Sequence, residues 1–435
     1  MRDGVRLRIG ATNDLLGSFH PWPTGYGSLP GGAAIRATVD QLRAETPAVW
    51  IDAGDFAQGG AISTLTDGYG GFTAMDSLGP DVVVAGNHEF DWGTPHLRSA
   101  ARRISAPMLC ANHPDSGLPA TAMLDASGVA VGVVGCTTPD LFRLVREPAT
   151  ELITVAEATA EGVHRLRADG ADVVVAAVHD GVDWRPDGNG ARQLPRRFAD
   201  QIGAWQVTPD LIVAGHTLGR WIGRLHGIPV LQPWAFGAEI GIAEFDRNLA
   251  VSRLTGRVPT PCSDWTGFGA DLVTAAAGRL LGHLPHTLVN RPGSDHSLPR
   301  YVAAAIARRN GTDGGVFGCW EMATGQPPVD GAVAFLAAGP VSEADVLRLV
   351  PYQDDSVVRT VITEREFDRL RRRKDLACWS VPDRRGTVGV AITRYSSVDL
   401  AAHLDRHLEF EPAAAGVRDS LRRSLEEGVT PECPL

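Results

Sequence analysis

Five short, largely apolar runs each lead into a side chain able to ligate a metal, and this repetition restricts the fold more than any other feature. Val5–Ile9, with Arg6 and Arg8 interleaved, leads to Asp14; VWIDAGD (49–55) ends in Asp55 and DVVVAGNHE (81–89) carries Asn87–His88. DVVVAAVHD (172–180) carries His179, and DLIVAGHT (210–217) carries His216. A further run, VAVGVVGCT (129–137), lacks such a residue. Several of these are continuously apolar rather than alternating, the pattern of strands covered on both faces. Between them, Ala33, Ile35, Val39 and Leu42 fall at helical spacing within 31–45. Residues 69–79, 94–104 and 155–169 are further helix candidates. Strands alternating with helices predict a layered α/β domain. In open α/β sheets, ligands gather beyond the carboxyl ends of the strands. The five polar positions stand at that edge.

The chain has 435 residues, too many for one ordinary domain. The periodic pattern breaks at RVPTPCSDWTG. We therefore expect a first domain over 1–250, a linker over 251–265 and a smaller α+β domain over 266–435. In the last, helices are expected at 267–281, 299–309, 342–350 and 364–373, with strands at 332–336, 356–362 and 387–393. The net charge of −10 argues against a general nucleic-acid binder. A small anionic substrate remains compatible, because a bound metal inverts the local field. The six cysteines form no C-x-x-C pair; Cys110 and Cys136, in or beside apolar runs, read as core. No run approaches the ~20 apolar residues that span a bilayer, and MRDGVRLRIG has no apolar signal core. The expectation is a cytoplasmic protein without nucleic-acid or membrane partners; the oligomeric state stays open.

The ordered set TNDLLGSF, DAGDFAQG, AGNHEFDWG, VAAVHDG and IVAGHTLGR resembles the calcineurin-like metallophosphoesterases, and within them the two-domain 5′-nucleotidases. IPVLQPWAFGAEIGIAEFD (228–246) resembles the strand pair that closes their catalytic domain. GPVSEADVLRLVPYQDDSVVRTVITEREFDRL (339–370) resembles part of their substrate domain. The resemblance implies a metallophosphoesterase-type β-sandwich flanked by helices, plus a smaller α+β domain. It also implies that Asp55, Asn87, His179 and His216 hold a divalent ion (zinc, manganese or iron). Water on that ion would attack phosphorus, while His88, oriented by Asp91, assists the leaving oxygen.

Two departures stand out. In the family, an Asp and two imidazoles complete another metal site beside the bridging Asp. Here the corresponding residues are Asp14, Leu16 and Leu218. Three readings follow. The chain holds one ion, with Asp14 as a base or as a partner of the ligands; or Asp14 and Asp55 hold a weak Mg²⁺-like second ion; or the site is a relic. The second departure is GAVAFLAAGPVS (331–342), where the family has an N-x-G-x-x-R stretch whose Arg grips phosphate. Trp320, Phe335, Tyr352 and Trp379 are candidates for stacking on a base, or simply core. The functions left open are hydrolysis of a phosphate ester on a small, nucleotide-like or sugar-phosphate metabolite, a single-metal hydrolase or lyase acting on another bond, and a ligand-binding pseudoenzyme. His20, near Leu16, is a possible substitute ligand. Asp52 reads as a turn residue or a partner of the ligands, His113 as an ordinary loop histidine, and RLRRRK (369–374) as a solvated helix end.

Overall fold

The computed structural model describes residues 4–24, 27–145, 150–187, 190–194, 196–260, 267–290, 296–319, 335–351, 355–381 and 386–429. They fall into two compact units: one reaches Trp22 and resumes from Ser28 to Ala270, and the other consists mainly of residues from Asp271 onward.

The first unit is built on two six-stranded sheets. One contains β1 (Leu7–Thr12), β2 (Ala48–Asp52), β3 (Val82–Val84) and β4 (Met108–Leu109), joined in parallel. The other contains β5 (Thr121–Asp125), β6 (Ala130–Cys136), β7 (Val173–Val178), β8 (Leu211–Ala214), β9 (Trp221–Leu225) and β10 (Ile228–Gln232). Of these, β6, β7, β8 and β10 run parallel. β11 (Ile240–Phe245) adds antiparallel to β1, and β12 (Val251–Arg257) to β11.

The apolar runs are continuous because each strand buries both faces. Ile9, Ile51 and Val84 of one sheet share a core with Val133, Val175 and Val213 of the other. The alternate residues Val174, Ala176 and Val178 turn outward against Ala158, Val163 and Leu166. These three belong to helix α2 (Val155–Ala168), which starts at a capping box between Thr154 and Glu157. Over the first sheet, helix α1 (Gly31–Glu45) buries Ile35, Val39 and Leu42. At about 1.5–3 kcal/mol for each fully buried Val, Leu or Ile, this four-layer packing holds the strand ends rigidly.

The linker expected over 251–265 begins instead as a strand, because 251–257 is β12. Its side chains are partly exposed, so no apolar period reveals it. Its register comes from backbone pairing with β11 across a turn in which the Asp246 carboxylate accepts from the N–H groups of Asn248 and Ala250. Residues 261–265 lie outside the described residues.

The second unit carries a five-stranded sheet whose members include Gly314–Gly318, Val357–Thr363, Leu376–Ser380 and Thr387–Thr393. Helix α3 (Ser297–Arg309) contributes Leu298, Val302 and Ile306 to its core. The helices expected at 299–309, 342–350 and 364–373 appear as Ser297–Arg309, Glu343–Leu349 and Glu364–Arg371. No described helix is long and apolar enough to cross a membrane.

Candidate metal centre

The carboxyl ends of β2, β3, β7 and β8 deliver four of the expected residues to one place. After β2 the chain turns through Gly54 (φ 97°) and Asp55 (φ 60°). A Cβ on Gly54 would lie 2.6 Å from the Gly86 nitrogen, so only glycine lets these loops approach so closely. The N–H of His88 donates to Asp55 Oδ1 at 2.9 Å. His179 Nδ1–H donates to the Ala53 carbonyl at 2.7 Å, which leaves Nε2 facing inward. That Nε2 lies 2.9 Å from Asp55 Oδ2 without the alignment of a hydrogen bond. The His216 ring is 5.1 Å from that of His179. Donor atoms of Asp55, His179 and His216 all lie within 4.8 Å of one another, and no other such group of His, Cys, Asp or Glu occurs among the described residues.

These residues fit a divalent ion of borderline hardness, which takes carboxylate, amide oxygen and imidazole together. Asn87 Oδ1, His179 Nε2 and His216 Nδ1 are buried without a hydrogen-bond partner. Buried polar atoms normally find partners; a cation held with Asp55 would satisfy the two imidazole nitrogens. The electrostatics agree. Burial works against the Asp55 carboxylate, but His179 and His88 hold it below the usual carboxylate range. Burial lowers His179, yet Asp55 more than offsets that and pushes it up to about 10. Burial, then His179, pushes His216 down to about 4.

His88 stands at the rim, its side chain 20% exposed. Its Nδ1 is 3.0 Å from Asp91 Oδ2, which also accepts from Gln58 Nε2 at 2.8 Å. Burial lowers the imidazole, but Asp55 and Asp91 raise it to about 9. Asp14 is adjacent but outside the ligand group. Its Oδ2 accepts from Asn13 Nδ2 (2.7 Å) and the His216 N–H (2.8 Å), while Oδ1 is buried without a partner. Burial raises Asp14 to about 6. Leu16 and Leu218 are half-buried in left-handed backbone, φ 44° and 54°. His20 does not join the ligand group. Asp52 accepts from Thr12 Oγ1 and the Gly54 N–H. His113 packs between Phe90 and Phe142. In the second unit Trp379 lies under Arg308; Trp320 and Tyr352 are outside the described residues.

Two polar residues beneath the centre lie within motifs quoted above but were given no role there. The Glu89 carboxylate is fully buried and accepts four backbone N–H groups, those of Asp55, Phe56, Ala57 and Gly86, at 2.7–2.9 Å. Gln232, also fully buried at the end of β10, accepts from the Val182 N–H at 2.7 Å. It donates to Thr217 Oγ1 at 2.8 Å and to the Gly219 carbonyl at 3.0 Å.

Residues 7–220 match the family model described as calcineurin-like phosphoesterase. A 5′-nucleotidase of Vibrio vulnificus is 30% identical over 235 residues, 49% of this chain and 40% of that protein. The chain spans about half, or less, of the length of the curated relatives it matches. The crystal structure of a 5′-nucleotidase precursor from Thermus thermophilus superposes with a TM-score of 0.75 at 18% identity, covering 99% of this chain and 98% of that one. Sulfate thiohydrolase SoxB of Thermus thermophilus, in complex with glycerol, reaches 0.74 at 14% identity, over 99% of this chain and 95% of the other. At these identities the two structures share the fold.

Proposed function

Residues 7–220 are a calcineurin-like phosphoesterase domain, and from that premise we propose that the chain is a metal-dependent hydrolase. Its substrate class is a small anionic metabolite, a nucleotide or a sugar phosphate, from which it removes phosphate. The observation that carries this reading is the convergence of Asp55, His179 and His216 within 4.8 Å, with the buried, unpartnered amide oxygen of Asn87 completing the set. A divalent ion bound there would supply positive charge to phosphoryl oxygens and acidity to a coordinated water.

The chain's own groups supply the rest. Asp91 accepts from His88 Nδ1–H and so aims Nε2 toward the centre, 3.9 Å from Asp55 Oδ2. Held by Asp91, His88 donates a proton or a hydrogen bond to the departing oxygen. We read the centre as mononuclear, because Leu16 and Leu218 offer no donor atom where the other site's imidazoles would stand. Asp14 then acts beside the ion, holding the His216 backbone.

The test is metal content and phosphate release on one preparation. Protein purified without added metal should carry about one zinc, manganese or iron per chain and release phosphate from a panel of nucleotides and sugar phosphates. Two tightly bound ions would remove the mononuclear reading; no release across the panel would remove the phosphatase reading.

A second reading is a single-metal hydrolase acting on a bond other than a phosphomonoester. It is supported by the leucine pair and by a shared fold with a thiohydrolase. Turnover of a thiosulfonate or phosphodiester model compound, without phosphomonoester release and abolished by His88→Ala, would select it.

A further inference from the structure

The four loops of the centre rest on two buried polar side chains, one from each half of the sandwich. Glu89 joins the turn after β2 to the turn after β3. One carboxylate oxygen takes the N–H groups of Asp55 and Gly86, and the other those of Phe56 and Ala57. It thereby ties the loop carrying Asp55 to the loop carrying Asn87. Gln232 does the equivalent for the other sheet, joining residue 182, just after His179, to Thr217 and Gly219, just after His216. Its amide orientation follows from its partners: the Val182 N–H can only donate and the Gly219 carbonyl can only accept. The packing is close. A Cβ on Gly181 would lie 2.3 Å from Gln232 Oε1, and one on Gly86 would lie 2.2 Å from Asp55 Oδ1.

We propose that Glu89 and Gln232 are the positioning residues of the metal centre, each clamping two ligand loops at the spacing one ion requires. The proposal rests on the metal-site reading above. Buried partners of metal ligands typically change affinity 10–100-fold when replaced. Here the clamps act on ligand-bearing backbone rather than on ligand side chains. Glu89→Gln presents an NH₂ group to two N–H donors and loses two of the four bonds. Gln232→Glu keeps the bond from Val182 but sets a carboxylate oxygen against the Gly219 carbonyl. Position and charge then predict opposite results. A carboxylate added near a cation tightens binding if charge alone matters, and weakens it if Gln232 holds the loops apart at the right distance.

The experiment is titration of metal-free full-length protein with Zn²⁺ and with Mn²⁺ by calorimetry, well below each variant's melting temperature. Glu239→Gln is the control, because Glu239 is buried in the same unit but bonded to Arg220. The expected result is a 10–100-fold loss of affinity for Glu89→Gln and for Gln232→Glu, with Glu239→Gln within about threefold of the wild type. Glu89→Asp, whose shorter arm reaches fewer of the donors, should fall between, and it serves if Glu89→Gln does not fold. Folded Glu89 and Gln232 variants that bind as the wild type does would overturn the positioning role alone. Tighter binding by Gln232→Glu would overturn it in favour of a purely electrostatic one. A wild type that binds neither ion would overturn the metal-site reading and this proposal together.

Discussion

The two halves of the centre meet at Asp55 and differ in donors, not in backbone. On one side Asp55 (φ 60°) and His216 (φ 72°) sit in left-handed conformations and present ligand atoms; on the other, Asp14 (φ 48°), Leu16 (φ 44°) and Leu218 (φ 54°) sit in the same region. Asp, Asn and His tolerate that region comparatively well, whereas a bulky aliphatic residue there is an outlier and costs roughly 1–2 kcal/mol. Leu16 stays because neighbouring backbone holds its loop. Leu16 N–H donates to the Asp55 carbonyl, Asp14 N–H to the Gly54 carbonyl, and Phe236 N–H to the Asp14 carbonyl, each at 2.9 Å. The loop shapes are therefore set by the ladder between loops. On the mononuclear reading proposed above, the ion count follows from which side chains those shapes carry.

The largest expected effect comes from breaking the half that has donors. His216→Ala should weaken ion binding on the order of 100-fold or more, beyond the loss typical of a ligand's buried partner, measured by metal titration. His88→Ala separates proton delivery from ligation: turnover should fall by about 10²–10⁴-fold while metal content, by elemental analysis, stays at the wild-type value. Leu16→His with Leu218→His refills the other half in backbone that already suits histidine. Bound ions should rise from one to two per chain, and a count that remains at one would show that more than the two imidazoles is missing.

The group Asp55, His179 and His216, which could hold a metal, was legible because each member follows an apolar run. The helix Gly31–Glu45 was legible because its apolar residues keep one spacing. β12 was not, since an edge strand with partly exposed side chains leaves no period. Glu89 was not either: it reads as one acid beside His88, and only folding brings four N–H groups to it.

The smallest effect serves as a reference far from these loops in sequence. In the second unit Glu366 closes the N-terminal cap of Glu364–Arg371 with Thr363, and Arg406 holds its carboxylate down at about 2. A lowered carboxylate pKa stabilises the folded state above the ordinary value of 4.5, and that contribution is lost as pH falls toward 2. Because the pair is partly exposed, Glu366→Gln should cost no more than about 1 kcal/mol at pH 7 and progressively less as pH falls through 2, read as the midpoint of denaturant unfolding.

The sequence by itself determined the layered α/β class, the strand ends that carry chemistry and the chemical types of the ligands, because apolar period and residue type are local properties. Tertiary structure alone decided that Asp55 and His179, 124 positions apart in the chain, share a 2.9 Å contact, that Asp14 accepts from the His216 N–H, and that Glu89 and Gln232 lie beneath the loops. Those relations depend on two sheets packing face to face, and on where each buried donor and acceptor must then find its partner.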